Sequence, residues 1–76
     1  MEIKQALSHV IERSGMSRYA VGQRLGKGRN YMYNLLAKPT NPTFGVIVDV
    51  ADVCGYDLAL VNREDGDVIK LDPPDR

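Results

Sequence analysis

Residues 16–38, MSRYAVGQRLGKGRNYMYNLLAK, decide how this chain is read. Apolar residues recur there as two short helical stripes separated by Leu25-Gly26-Lys27-Gly28. Ser17 suits the N-cap of the first stripe, because a serine hydroxyl accepts from a free backbone N–H of the opening turn. That helix turns Val21 and Leu25 inward, four residues apart and so on one face. Gly22 lies inside it at a cost of about 1 kcal/mol relative to alanine, which points to another backbone packed close by. Gly26 ends the helix, and Gly28 stands at the N-cap of the next. The inner stripe of that next helix is Met32, Leu35 and Leu36, spaced i, i+3, i+4. Lys38-Pro39 stops it, since a residue before proline avoids the helical region.

Two further helices and a change of period flank this core. Ile3, Leu7, Val10 and Ile11, with Ala6 beside them, predict a helix over residues 2–14 that Gly15 caps. Pro39-Thr40-Asn41-Pro42 is a stiff loop. Thr43 then caps a fourth helix whose inner stripe is Phe44, Ile47, Val50, Ala51 and Cys54, and Gly55 closes it. Beyond it, residues 57–62 and 68–71 are β-type runs around Asp65-Gly66, a preferred two-residue hairpin turn. Pairing across that turn sets Arg63 opposite Val68, Val61 opposite Lys70 and Leu60 opposite Leu71. Leu58, Leu60, Ile69 and Leu71 then share one face, and Ala59, Val61 and Val68 the other. A lone two-stranded ribbon is marginal in water. One face is therefore expected to pack on the helices and the other against a second copy of the chain. The candidate dimer residues are Ala59, Leu60, Val61, Val68 and Ile69, drawn from both faces because the sequence does not choose between them. The expected organisation is a mainly α, four-helix domain over residues 1–56, a β-hairpin over 57–71 and a loose tail over 72–76.

Composition narrows the function. Seventy-six residues make one domain at most, and 43% apolar with 26% charged residues is ordinary globular composition. No apolar run approaches the roughly 20 residues needed to span a bilayer, and no secretory leader pattern opens the chain. The single Cys54 excludes an intramolecular disulfide and suits a reducing cytoplasm. One His and one Cys make no zinc set, and His9 reads as an exposed helix residue. Ser8, Ser14 and Ser17 have no His–Asp companions. Gly22, Gly26 and Gly28 follow no strand and precede no Gly-Lys-Ser/Thr, so they are not a phosphate loop. Glu64, Asp65 and Asp67 read as a solvated turn. An enzyme is not expected, nor a cofactor or metal.

Net charge is zero, but its distribution is lopsided. Residues 1–38 carry seven bases and two acids, for a balance of +5, and residues 39–76 carry three bases and eight acids, for −5. A basic half can bind phosphate while an acidic half faces away. On a helical wheel, Asn30, Asn34 and Ala37 lie opposite the Met32 stripe, with Tyr33 and Arg29 on one flank and Tyr31 and Lys38 on the other. Asparagine can pair bidentately with the N6 and N7 edge of adenine, and arginine with O6 and N7 of guanine. Two helices joined by a glycine turn, the second with such a face, have the layout of a helix-turn-helix that reads the DNA major groove. Arg29, Asn30, Tyr33 and Asn34 are the candidate base readers. Ser17, Arg18, Lys27, Tyr31, Lys38 and Asn41 are the candidate phosphate contacts. The competing reading of each is a solvated surface residue.

Residues 16–61 resemble the helix-turn-helix domain of phage Cro and lambda-repressor type regulators, the xenobiotic-response-element family. The resemblance lies in Met16-Ser17-Arg18 opening the second helix, Gly22 within it, Leu25-Gly26 at the turn, Met32 buried in the third helix, Asn41-Pro42, and Val50-Ala51 with Cys54 and Gly55. No gap is needed across this stretch. The resemblance implies that Arg18, Arg29, Asn30, Tyr33 and Asn34 touch DNA. Arg18 stands where the family carries Gln, Lys27 where it carries an apolar turn residue, Gly28 where it carries a Ser cap, and Leu36 where it commonly carries Glu. A hairpin after the fourth helix is similar to the Cro-like arrangement, in which strands support dimers.

The expectation is a cytoplasmic, sequence-specific double-stranded DNA-binding regulator of a bacterial or phage-infected cell. It would be a small phage- or prophage-like repressor binding operator half-sites as a homodimer. The alternative is a protein-interaction module on the same scaffold, such as an anti-repressor or an antitoxin-like partner binder. Zero net charge, the acidic second half and Lys27 support that alternative.

Overall fold

A computed structural model describes residues 1–72. The final residues of the expected loose tail, 73–76, lie outside the described part. Four helices come first: α1 (Ile3–Ser14), α2 (Arg18–Arg24), α3 (Tyr31–Ala37) and α4 (Phe44–Val53). An antiparallel hairpin of β1 (Leu58–Val61) and β2 (Val68–Leu71) follows. No helix among the described residues is long and apolar enough to cross a membrane.

Local chemistry sets most helix ends. The Gln5 side-chain carbonyl accepts from the Glu2 N–H at 3.3 Å, closing the first turn of α1. Gly15 takes φ 78° after it, a left-handed conformation that favours glycine. The Ser17 hydroxyl accepts from the Ala20 N–H at 3.0 Å, as an N-cap should. Lys38, held extended by Pro39, ends α3 at ψ 146°. Thr43 occupies the N-cap of α4 by backbone conformation alone, without a side-chain cap bond.

The start of α3 differs from the expected one. Gly28 is not its N-cap. The Gly28 carbonyl accepts from the Tyr31 N–H at 3.2 Å, a three-residue turn, and the cap is Asn30 at φ −101°, ψ 12°. A glycine has no side chain to cap with, so the chain takes one tight turn before the first α-helical bond, from the Asn34 N–H to the Asn30 carbonyl. Arg29 therefore lies in the connection and not on the helix.

The core gathers Leu7 and Ile11 from α1, Val21 from α2, Met32 from α3, and Val50 and Cys54 at α4. Leu25, Leu35, Leu36 and Ile47 pack around it, half-buried. Phe44, expected on the inner stripe of α4, is 42% exposed because it sits at the helix's first position, beyond the reach of the core. Val48 is buried instead. It lines a cleft with Tyr56, Leu58 and Leu71 at the hairpin base. Burial pushes the Cys54 thiol above its ordinary pKa, opposed by a hydrogen bond with Ser14.

Gly22 is buried in α2, and a methyl group on it would lie 3.5 Å from the Gly28 carbonyl and 3.7 Å from Tyr31 Cβ. Backbone is close, yet those are ordinary van der Waals distances. Gly22→Ala is thus expected to raise stability by about 0.5–1 kcal/mol, since glycine's helix penalty disappears without a clash. Urea unfolding followed by circular dichroism reads this directly.

The hairpin pairs two residues away from the expected register. Leu58 faces Leu71, Ala59 faces Lys70, Leu60 faces Ile69 and Val61 faces Val68. The expected two-residue turn needs positive φ at both Asp65 and Gly66, and only Gly66 has it, at 76°. The loop widens accordingly. Asn62 Oδ1 accepts from the Glu64 N–H at 2.9 Å, Asp65 Oδ1 from the Asp67 N–H at 2.9 Å, and the Asn62 carbonyl from the Gly66 N–H at 3.0 Å. Because side chains alternate with period two, a shift of two leaves every residue on its expected face. Leu58, Ala59 and Leu71 are half-buried at the base. Leu60, Val61, Val68 and Ile69 stay exposed towards the tip, on both faces.

Candidate nucleic-acid interface

Helix α3 is anchored through Met32, which is 1% exposed. Its neighbours in sequence necessarily point elsewhere. Tyr33 is half exposed, and Asn34 and Ala37 are exposed. Asn30 is exposed at the N-cap, and its carboxamide makes no cap bond, so both of its polar ends face solvent. Arg29 is exposed one residue earlier. Of the four candidate readers, Tyr33 and Asn34 share the helix, while Asn30 and Arg29 sit on its approach.

Two cations from outside the helix reach its tyrosines. The Arg18 guanidinium, from the first residue of α2, lies 5.4 Å from the centre of the Tyr33 ring. The Lys27 ammonium, from the α2–α3 connection, lies 5.6 Å from the centre of the Tyr31 ring. Both fall within the roughly 6 Å reach of cation–π attraction. Tyr31 is half-buried against the core, so its ring is a fixed seat and not a free surface group. Arg18, Tyr33 and Asn34 also line an open groove between α1 and α3, together with Gln5, Ser8 and Glu12.

Ser17 already uses its hydroxyl oxygen to cap α2, which leaves its O–H proton to donate. Lys38 and Asn41 are exposed, at the end of α3 and in the loop that follows it. The Lys38 carbonyl accepts from the Lys4 ammonium at 2.6 Å, so α1 ties down the loop that carries them. Sequence reading missed Lys4. No local pattern marks it, since its partner lies 34 residues away.

No family model, curated protein or solved structure matches this chain. Exposed carboxamides, seated cations and two aromatic rings surround a helix whose opposite side is locked into the core. Such a surface can donate and accept hydrogen bonds at base edges while holding positive charge where phosphate would pass. Among the described residues, no group of three His, Cys, Asp or Glu side chains lies close enough to hold a metal ion.

Proposed function

We propose that this chain is a sequence-specific double-stranded DNA-binding regulator, a small repressor of the Cro and lambda-repressor type. In this reading α2 and α3 are the helix-turn-helix, and α3 enters the major groove. Asn34 and Asn30 face base edges, with Arg29 and Tyr33 beside them. Ser17, Arg18, Lys27, Tyr31, Lys38 and Asn41 serve the phosphates on either side. The observation that carries the reading is the division of α3, with Met32 buried and Tyr33 and Asn34 outward between the Arg18 and Lys27 cations. Selection from random duplex DNA at two salt concentrations tests it. The expected result is an enriched motif whose binding weakens with salt, by about 0.9 log units per log unit of salt for each phosphate contacted. Failure to retain any duplex at low salt refutes the reading.

The exposed hairpin supports the second half of the proposal, a homodimer. Leu60 faces Ile69 on one side of the ribbon and Val61 faces Val68 on the other, all four 58–62% exposed. Two exposed apolar pairs on a two-stranded ribbon favour a covering chain. If the two α3 helices of such a dimer meet one face of the duplex, the half-sites lie about one helical turn apart. Sedimentation is expected to show a dimer for the intact chain and a monomer for Val61→Asp. A wild-type monomer would refute the dimer. If a different protein then co-purified through the hairpin while free DNA was ignored, the interaction-module reading would replace the repressor.

A further inference from the structure

The geometry points to Tyr33 as a positioning residue, whose ring holds the Arg18 guanidinium aimed at a DNA phosphate before any DNA arrives. The inference rests on the DNA-binding reading above. It changes the role of Tyr33 within that reading, from base reader to seat for a cation.

Three observations carry it. Arg18 opens α2 and Tyr33 is the third residue of α3, so their 5.4 Å contact bridges the two helices. Arg18 is half-buried and Tyr33 is half exposed, so the guanidinium lies along the ring and does not extend freely into solvent. Lys27 and Tyr31 repeat the arrangement at 5.6 Å. Two tyrosines on one short helix thus each hold a cation that belongs to a neighbouring segment.

The physical consequence is preorganisation. A long cationic side chain loses much rotamer freedom when a phosphate fixes it. A ring that restricts it in the free protein moves that loss from binding to folding. The contact engages the charge and none of the five guanidinium N–H donors, so all five remain for phosphate oxygens. Glu2 and Glu12 line the same groove and are the acidic groups on its wall. A phosphate contact carries no base information. Tyr33 should therefore raise affinity for every duplex alike and leave base preference to Asn34, Asn30 and Arg29.

The test uses the full chain, the selected duplex and an unrelated duplex. Tyr33→Leu is expected to weaken binding to both by about two- to fivefold, the size of an exposed cation–π contact. Tyr33→Phe keeps the ring and should bind as the wild type does. In the Arg18→Ala background, Tyr33→Leu should add no further loss. In the free protein, the Arg18 δ-proton resonances should be shifted upfield by the ring current in wild type and Tyr33→Phe, and should lose that shift in Tyr33→Leu. If Tyr33→Phe binds as poorly as Tyr33→Leu, the hydroxyl is the contact and the positioning role is overturned. Additive losses in the double variant, or normal DNA binding with unshifted Arg18 resonances, overturn it too. A wild type that binds no duplex refutes the DNA reading itself, and the ring-current measurement then still reports whether the Arg18–Tyr33 pair forms.

Discussion

Met32→Ala is expected to destabilise the fold by about 2–5 kcal/mol. Met32 is 1% exposed and is the residue that α3 contributes to the buried cluster, where it joins Leu7, Ile11, Val21, Val50 and Cys54. A chain of 76 residues has a total stability of roughly 4–11 kcal/mol, so one such cavity removes a large part of it. Helix α3 spans seven residues, too few to persist without tertiary packing. Loss of its anchor therefore also frees the exposed face. Met32→Leu, which conserves volume, should cost less than about 1.5 kcal/mol. Urea titration by circular dichroism separates the two variants. A Met32→Ala midpoint equal to wild type would contradict the placement of this side chain.

Asn34→Ala should reduce affinity for the selected duplex by about 1–3 kcal/mol and relax preference at one base pair, an adenine. Asn34 is exposed one turn into α3 with its carboxamide on the outer side, so truncation removes no core contact and the fold should persist. Asn30→Ala tests the same chemistry from the helix cap. Its carboxamide makes no cap bond, so stability should again be unchanged while affinity falls. Competition between the selected duplex and one with the adenine replaced reads both variants. An unchanged preference in Asn34→Ala would remove it from the base-reading set. The same replacement made in the Tyr33→Leu protein should leave the preference as it is in wild type, which distinguishes a reader from a seat.

Local sequence rules reach a long way into this chain, because its helix boundaries are set by residues within three or four positions of each other. Ser17 caps α2 with its own hydroxyl, Gly15 and Gly55 turn with positive φ, and Pro39 stops α3 through Lys38. Leu7, Ile11, Val21 and Met32 are buried because apolar spacing of three and four puts them on single helix faces. The faces of the hairpin follow from alternation alone, and they survive the register shift for that reason.

What lay beyond those rules involves partners distant in sequence or conformations that several residues choose together. The hairpin register turned on Asn62 and Asp65 side chains capping a wider loop in place of the tight Asp65-Gly66 turn. Val48 is buried beside a cleft that it shares with Tyr56 and the strand ends, and Phe44 is exposed at the first position of α4. At the candidate interface, helical-wheel placement and the resemblance mark Arg18, Arg29, Asn30, Tyr33 and Asn34, and arginine and asparagine are side chains that match nucleotide edges. Their arrangement required the packed molecule. Helix α3 begins at Tyr31, Arg18 crosses to Tyr33, and Lys4 reaches Lys38. Periodicity reports only which side of its own helix a residue occupies. Contacts between helices depend on how those helices dock, and here docking is decided by the shared burial of Val21, Met32 and Val50.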